Sequence, residues 1–203
     1  MRAIRGKKTI STRIFDEAGH QVPVTLVEIG PNIVTQIKTL EKDGYQAIQV
    51  GVGSKKRLNK PISGHLKKLD IKPESFFEIK SDQDFKVGDK ITLDDFREKE
   101  LVNVTAISKG KGFAGTVKRH HFHTGPKTHG SNNYRQPGSI GDTGPQRVVK
   151  GRRMSGHLGA KRTTVQNLEI IKLDKVRGLM FIKGGLPGPQ KTEILIWSNH
   201  DKD

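Results

Sequence analysis

The chain has 203 residues, of which 32% are hydrophobic and 23 are glycine, and its lack of cysteine excludes disulfides, zinc ribbons, thiol nucleophiles and iron-sulfur clusters. Lys and Arg number 37 against 21 Asp and Glu, a net charge of +16 that favours a polyanionic partner, with nucleic acid first. No apolar run approaches the roughly 20 residues of a membrane span and no secretory signal opens the chain, so we expect a cytoplasmic protein with no membrane partner.

The first fifty residues predict short β-strands separated by turns. Two strand-like runs in RIFDEAGHQVPVTLVEI flank turn residues 16–19, and residues 30–32 (Gly-Pro-Asn) break the chain before a third run, IVTQIKTL. A further turn signal at 43–44 precedes the run YQAIQVGV. Several short strands at regular spacing are typical of a β-barrel or a β-sandwich.

Residues 54–73, which we call the basic loop, interrupt this strand pattern. The segment SKKRLNKPISGHLKKLDIKP is rich in lysine and is broken by Pro61 and Gly64, so at most a short helix fits, between Ile62 and Leu69. Strand-like runs then resume as SFFEIK, KVGDKITL and LVNVTAIS. The basic loop is therefore predicted to be a loop or short-helix insertion in the β region.

The composition changes between residues 109 and 162, a segment that we call the arm. Its 54 residues hold 12 Lys or Arg, 11 Gly, five of the eight His and a single acid, Asp142, so they carry +11 of the net charge, whereas the other 149 residues carry +5. Apolar side chains are sparse, so little buried area would offset the entropy lost on ordering. We expect the isolated arm to be extended or mobile and to order on a partner.

Strand-like sequence returns after the arm. The runs TTVQNLEIIKLD and LMFIKGG flank a hairpin turn at residues 175–178, and TEILIWS completes the sheet. The sequence therefore predicts a mostly β body, residues 1–108 and 163–203, with the arm as a long, basic, glycine-rich internal extension. Strands anchor both ends of the arm, which limits its entropy.

Gly110, Gly112 and Gly115 form a GxGxxG pattern, which Val117 extends to the GxGxxGxV form of a nucleotide-binding loop. A dinucleotide site needs a helix after the glycines, but the next residues, TVKRHHFHTGPKTHG, predict none. A kinase-type loop lacks its VAIK, HRD and DFG partners, so no nucleotide cofactor is predicted. The glycines either provide only conformational freedom in a loop, or they let the phosphate backbone of a nucleic acid come close to the lysines between them. The charge of the arm favours the second interpretation.

Four histidines, His120, His121, His123 and His129, suggest a metal site by residue type alone. Cations flank them and no carboxylate or thiolate is near, so we expect no metal and assign the imidazoles to RNA contacts, with a solvated cluster as the alternative. No GxSxG elbow is present and the arm has one carboxylate, so no catalytic residue is predicted.

The densest charge lies in the run VVKGRRMSGHLGAKR, where glycines punctuate the cations and no acid balances them. Phosphate contact is therefore preferred here over a merely solvated face. The aromatic residues of the arm, Phe113, Phe122 and Tyr134, either stack on bases or fill a local cluster, and the sequence leaves both options open.

Longer runs of the chain resemble a known family. SKGKGFAGTVKRHHFHTGPKTHGSNNYRQPGSIG, VVKGRRMSGHLG and TVQNLEIIKLD are similar to the bacterial form of the L-three family of large-ribosomal-subunit proteins, and so are GHQVPVTLVEIGPNIVTQIKTLEKDGYQAIQVG, LNKPISGHLKK and IKGGLPGP. The resemblance covers nearly the whole chain in order. Two departures stand out: Ile10-Ser11 replaces a common Gly-Met pair, and the tip GSIGDTGPQRVVKG is one residue shorter than usual, so methylation of Gln146 is not predicted.

The resemblance implies a translation-protein-type β-barrel whose arm is threaded into ribosomal RNA. It implies a structural constituent of the large subunit, not an enzyme, that binds large-subunit rRNA near its 3′ end early in assembly, with the arm reaching toward the peptidyl transferase region. Neighbouring large-subunit proteins are the other implied partners, and no small-molecule substrate or cofactor is implied. By the same resemblance, the RNA-embedded base of the arm is lined by Lys109, Lys111, Lys118, Arg119, His129 and Arg135. The residues at or near its tip are Arg147, Lys150, Arg152 and Arg153.

Charge and resemblance together give one set of candidate RNA-binding residues. The set is Lys109, Lys111, Lys118, Arg119, His120, His121, His123, Lys127, His129, Arg135, Arg147, Lys150, Arg152, Arg153, Lys161 and Arg162. The three glycines of the GxGxxG pattern are assigned to close backbone approach. Two other classes stay open on the residues alone: a nucleotide-dependent enzyme that uses the 110–117 loop, and a generic polyanion-binding module.

Overall fold

The computed structural model describes residues 2–16, 18–67, 69, 71–80 and 85–198. Its strands are β1 (Arg2–Phe15), β2 (Gln21–Glu28), β3 (Asn32–Lys38), β4 (Ala47–Val52), β5 (Ser75–Ile79), β6 (Lys90–Ile91), β7 (Leu101–Ile107), β8 (Phe113–Ala114), β9 (Gly156–His157), β10 (Arg162–Asp174), β11 (Leu179–Lys183) and β12 (Glu193–Ser198). The helical segments are α1 (Leu40–Asp43), α2 (Lys60–His65), a 3-10 turn (Leu93–Asp95) and α3 (Thr116–His120).

The chain divides into two compact units. The first unit comprises Met1–Ile107 and Arg162–Asp203, and the second unit comprises Ser108–Lys161. The first unit contains the barrel and a separate four-stranded sheet, whereas the second unit contains the short β8–β9 ladder and α3.

Six strands of the first unit close into a ring in the order β1-β12-β7-β10-β11-β2, with β2 pairing back on β1. Every neighbouring pair is antiparallel, and closure leaves the ring without a free edge. The ring is irregular, because the pairing register shifts between Lys8 and Ser11 in β1 and at two points along β10. The mostly β fold predicted from the sequence is confirmed.

The turn predicted at residues 16–19 and the hairpin predicted around residues 175–178 both connect paired antiparallel strands. Strands β1 and β2 meet at the turn that begins at Asp16, whose carbonyl accepts from the N–H of Gly19 at 3.0 Å. Strands β10 and β11 pair around residues 175–178, where Gly178 adopts a left-handed φ of 66°.

The four-stranded sheet has the order β5-β4-β3-β6 and shares one hydrophobic core with the barrel. Barrel residues such as Ile4, Ile170 and Ile196 are fully buried, and they belong to the same cluster as Val34 and Val50 of the sheet. Aliphatic β-branched residues dominate this cluster, as is typical of pleated surfaces that bury one face. The barrel and the sheet of the first unit are therefore held together by apolar burial.

A buried lysine fixes the loop that joins β11 to β12. The Lys8 ammonium donates to the carbonyl oxygens of Leu186 at 2.7 Å and Gly188 at 3.0 Å. The carbonyl groups of this Gly- and Pro-rich loop do not pair with the N–H groups of a neighbouring strand. A buried side-chain donor is therefore needed to satisfy their hydrogen-bonding capacity. The bulge in β1 next to Lys8 belongs to the same junction.

Two sequence expectations were wrong in detail. The run KVGDKITL was expected to form a strand, but only the two residues of β6 pair, because Gly88 turns the chain at a φ of 102° and Thr92 caps the 3-10 turn that follows. Helix α2 begins at Lys60, before the predicted Ile62, since Pro61 is accepted in the first turn of a helix, where its missing N–H has no partner to lose.

The third difference concerns the residues after Gly115, where no helix was predicted and α3 is present. It is a single turn of five residues, and the N–H of Arg119 donates to the carbonyl of Gly115 at 2.9 Å. His121 ends the helix in a left-handed conformation, with a φ of 59°. So short a helix carries no apolar periodicity, which is why the sequence pattern missed it.

Gly6 of β1 offers a test of barrel packing. A Cβ at this position would lie 2.5 Å from Ile29 Cδ1 and 2.6 Å from the carbonyl oxygen of Glu28, so Gly6→Ala forces backbone apart. We expect Gly6→Ala to lower the free energy of unfolding by about 2 kcal/mol, as overpacked cores do. Gly185→Ala is the control, because a Cβ there meets nothing within 4 Å, and its effect should stay within about 1 kcal/mol. Urea unfolding measures both, and equal effects would contradict this account.

Candidate nucleic-acid interface

The two ends of the second unit pair with each other to form a stem. Strands β8 and β9 are antiparallel, with Phe113 opposite His157. Backbone bonds from the Lys111 N–H to the Leu158 carbonyl (2.8 Å) and from the Ser108 N–H to the Lys161 carbonyl (2.9 Å) continue the pairing to the first and last residues of the unit. Backbone hydrogen bonds therefore hold the two ends of this unit together.

Glycine is required at the stem, but not at every position of the GxGxxG pattern. Gly112 has a φ of +64°, which favours glycine, whereas added Cβ atoms at Gly110 and Gly115 would meet only ordinary contacts or open space. The tightest position is Gly159, where a Cβ would collide with the carbonyl oxygen of Lys109. Sequence analysis counted Gly159 among the glycines that punctuate the basic run VVKGRRMSGHLGAKR, but it did not predict this close approach. The outer faces of the patterned glycines lie open, which is compatible with close approach of another chain.

Two of the candidate RNA-binding residues on helix α3 make hydrogen bonds to another part of the second unit. Arg119 Nη1 donates to the carbonyl oxygen of Met154 at 2.6 Å, and His120 Nε2 donates to the same oxygen at 3.0 Å. Gly156 leaves room for the guanidinium, because a Cβ there would lie 2.7 Å from Arg119 Nη1. Arg119 and His120 are half-buried and link the two legs of the unit, a role that sequence analysis missed because Met154 lies 34 or more residues away.

A closed loop follows α3. The Gly125 N–H donates to the carbonyl of Tyr134 at 2.9 Å, and Lys127 Nζ lies 5.5 Å from the centroid of the Tyr134 ring. Phe122 packs against His120, with ring centroids 6.0 Å apart. Phe113 is 79% exposed, and no ring contact is recorded for it with any residue that the structure describes. The sequence left two options for these aromatic residues, a local cluster or stacking on a base. Phe122 and Tyr134 make local contacts, whereas the exposed ring of Phe113 leaves the second option open.

The tip, residues 135–153, has no buried residue. The side-chain hydrogen bonds recorded within it are from Arg152 Nη2 to the Ser139 carbonyl (2.6 Å) and from Ser139 Oγ to the Gly141 carbonyl (3.0 Å). Arg135, Arg147 and Lys150 are exposed, with no ion pair recorded among the described residues. The tip is thus a cationic segment without a core.

The structure exposes most of the predicted set. Fourteen of the sixteen candidate cations and imidazoles are exposed, and Arg119 and His120 are half-buried. Lys161 ends the second unit, whereas Arg162 is the first residue of β10 in the first unit. Every salt bridge recorded in the described part of the chain lies in the first unit, so none of them involves an exposed cation between residues 109 and 153.

Other kinds of site find no support in the described residues. No group of three or more His, Cys, Asp or Glu side chains among them is arranged to hold a metal ion. Likewise, none of the helices in the described ranges is long and apolar enough to cross a membrane.

Comparison with known proteins identifies the family. The model of the family "Ribosomal protein L3" matches residues 76–193. A large ribosomal subunit protein uL3 from Pelotomaculum thermopropionicum is 48% identical over 200 residues, which cover 96% of this chain and 95% of that protein. Proteins of the same name from Exiguobacterium sibiricum and Streptococcus mutans are 47% and 44% identical, and each alignment covers at least 96% of both chains. The resemblance seen in the sequence is confirmed, and the chain belongs to the ribosomal protein L3 family, a family of structural proteins and not of enzymes.

Proposed function

We propose that this protein is a primary binder of large-subunit ribosomal RNA that acts early in the assembly of the subunit. The family membership makes it a structural protein of the large ribosomal subunit, which works in the ribosome. The finer proposal is that it binds near the 3′ end of the large-subunit rRNA in the cytoplasm, beside other proteins of the subunit. In this proposal the arm penetrates the RNA and points its tip toward the peptidyl transferase region.

The observation that carries the proposal is the exposed, one-signed charge of the arm. Its 12 Lys and Arg face one acid, Asp142, and its tip has no buried residue. A folded soluble surface normally intersperses charges of both signs, whereas a polyanion-binding segment does not. Each phosphate that such a segment neutralises releases condensed counterions, which supplies the free energy of binding.

The stem and the tip would contribute differently to RNA binding. The stem is fixed by its own backbone bonds and by the Arg119 and His120 contacts to Met154, so little conformational entropy is lost there on binding. The tip has few internal contacts, and ordering it costs entropy that phosphate contacts must offset. Arginines at the tip suit this role, because a guanidinium can donate two parallel hydrogen bonds to one phosphate.

A salt series tests whether the tip contacts phosphates. The variant carries Arg135, Arg147, Lys150 and Arg153→Gln, and its affinity for large-subunit rRNA is measured from low to high salt. We expect the log-log slope to fall by roughly three units, at ~0.7 to 0.9 per lost contact. The charge-matched control replaces four exposed cations of the first unit, Arg13, Lys42, Lys86 and Lys172, by Gln. A tip variant whose slope matches that of the control would contradict the proposal.

Binding by the isolated protein tests the primary and 3′-proximal parts of the proposal. With no other protein present, we expect the chain to bind a transcript of the 3′-terminal portion of the rRNA at least ~10-fold more tightly than one of the 5′-terminal portion at near-physiological salt, because specific binding exceeds non-specific binding by large factors. Filter binding measures both affinities. Equal affinities would favour the generic polyanion-binding module instead.

The lack of cysteine allows a single reactive thiol to locate the tip in the assembled subunit. Val149→Cys places a probe in the exposed tip, and Val176→Cys places one at the β10–β11 turn, where the valine is 97% exposed. An iron chelate tethered in the Val149→Cys protein should cleave rRNA in the peptidyl transferase region, whereas the same group in the Val176→Cys protein should cleave elsewhere. Cleavage of identical sites from both positions would contradict the proposed orientation of the arm.

A further inference from the structure

The most basic run of the arm contains one serine. In VVKGRRMSGHLGAKR, Ser155 follows Arg152 and Arg153 at distances of three and two residues, and no other serine or threonine of the chain has arginine at both of these positions. Basophilic serine/threonine kinases, which select acceptors preceded by basic residues, read this charge pattern with acidic residues beside their active site. Contact with RNA accounts for the arginines of the run, but it gives the serine no role.

The structure leaves Ser155 accessible. Its side chain is exposed, and no hydrogen bond is recorded for its hydroxyl with any residue that the structure describes. The three residues before it, 152–154, belong to no helix or strand, and β9 begins only at Gly156. The Arg152 side chain makes an exposed bond to the Ser139 carbonyl, at 2.6 Å. A kinase can therefore reach the acceptor hydroxyl and the arginines before it without unfolding a buried segment.

Thr164 has a similar sequence before it and a different structure around it. It follows Lys161 and Arg162 at the same two spacings. However, Thr164 lies inside β10, opposite Thr105 of β7, and the two hydroxyl oxygens are joined by a hydrogen bond of 2.8 Å. A kinase could reach this hydroxyl only if β10 separated from the barrel. The chain thus contains an internal control, in which cations at the same spacing precede a hydroxyl held in a ladder.

A phosphate on Ser155 would lie among cations. Arg119 Nη1 donates to the carbonyl of Met154 at 2.6 Å, and a Cβ on Gly156 would lie 2.7 Å from the same nitrogen, so this guanidinium borders the backbone on both sides of Ser155. The single acid of the arm, Asp142, is 13 residues away along the chain. Phosphoserine carries roughly −1.5 to −2 charges at pH 7 and three strong acceptor oxygens. It would lower the net charge of the arm from +11 to about +9.

We propose that Ser155 is a phosphorylation site for a basophilic serine/threonine kinase, and that its phosphate weakens the binding of the arm to RNA. The second half of this inference rests on the proposed function, since it takes RNA as the partner of the arm. In the modification, Ser155 Oγ attacks the γ-phosphorus of ATP. The new Oγ–P bond forms as the bond from that phosphorus to ADP breaks, and the hydroxyl proton passes to a base of the kinase.

The phosphate acts on RNA binding in two ways. It forms charge-assisted hydrogen bonds with nearby arginines, Arg152 and Arg153 first, which then no longer contact RNA phosphates. It also repels the RNA backbone directly. Because RNA bound to the arm covers Ser155, the kinase acts on the free chain, and phosphorylation delays the entry of that chain into the subunit.

The first experiment tests the site. The full-length protein is incubated with ATP and the catalytic subunit of a basophilic serine/threonine kinase, and mass spectrometry follows each modified residue. We expect Ser155 to be phosphorylated at least ~10-fold faster than Thr164, whose hydroxyl is reached only by opening of the ladder. Arg152 and Arg153→Gln should slow the reaction at Ser155, and Ser155→Ala should abolish the main product. Equal rates at the two hydroxyls would overturn the site.

The unassembled chain isolated from the cells that make it provides a second check on the site. Mass spectrometry of this free pool should find phosphate on Ser155, whereas the same protein isolated from large subunits should carry little. A free pool without phosphate on Ser155 would overturn the inference.

The last experiment tests the effect on RNA. Affinity for large-subunit rRNA is measured across salt for the phosphorylated parent, for the parent incubated with kinase but no ATP, and for the phosphorylated parent after phosphatase treatment. We expect phosphorylation to lower the log-log slope by roughly one to two units, at ~0.7 to 0.9 per lost contact, and phosphatase to restore it. Ser155→Ala should bind like the parent, because it removes only a hydroxyl. An unchanged slope would overturn the effect of the phosphate on RNA binding.

The rate of phosphorylation with and without RNA separates the two proposals. The chain bound to rRNA should be phosphorylated at Ser155 much more slowly than the free chain, and equal rates would contradict the competition between kinase and RNA. A parent chain that fails to bind the rRNA would overturn the proposed function. The comparison of Ser155 with Thr164 needs no RNA, so it decides the modification site independently of that result.

Discussion

The antiparallel pairing of β7 with β10 is the constraint on which the arm depends. Arg162 is the register partner of Ile107, so the chain leaves the barrel and returns to it at two positions that face each other across one ladder. Within the second unit, the bond from the Ser108 N–H to the Lys161 carbonyl and the β8–β9 ladder pair the two ends of that unit with each other. A 54-residue basic segment is thereby held at both ends by backbone hydrogen bonds. Its charge is carried on a fixed base, although its tip has no core.

The sequence predicted features that depend on neighbouring residues, but it did not predict contacts between residues far apart in the chain. Alternating strands, the turns at 16–19 and 175–178, and the concentration of charge in the arm follow from local composition, and the first two are present in the structure. The ring order is not readable in this way, because β12 pairs with β1 across nearly the whole chain. The same holds for Arg119, which sequence analysis assigned to RNA and which bonds to Met154. Its side chain satisfies a carbonyl that only the folded stem brings near.

The positive charge of this protein is distributed over two segments of opposite construction. The basic loop is lysine-rich and is fixed by the burial of Leu66 and by the hydrogen bond from the Lys55 N–H to the Lys72 carbonyl, whereas the tip of the arm is exposed throughout. Between them, the remaining 129 residues carry a net charge of −1 and include local pairs such as Lys38 and Glu78. Preformed and adaptable cationic surfaces obey different energetics, since the first loses little entropy on binding and the second can follow an irregular partner. One small chain therefore contains a fixed and an adaptable cationic segment.

The juxtaposed ends of the arm also bear on how freely its length can change. For a flexible loop the entropic cost of closure grows only with the logarithm of its length, so doubling the segment costs the fold about 0.6 kcal/mol. The barrel is therefore nearly indifferent to insertions or deletions in the tip. The stem is not, because Gly159 lies against the Lys109 carbonyl and a shift in pairing would place a side chain there. Variation in length among related chains should accordingly collect beyond the β8–β9 ladder, where the fold imposes almost no penalty.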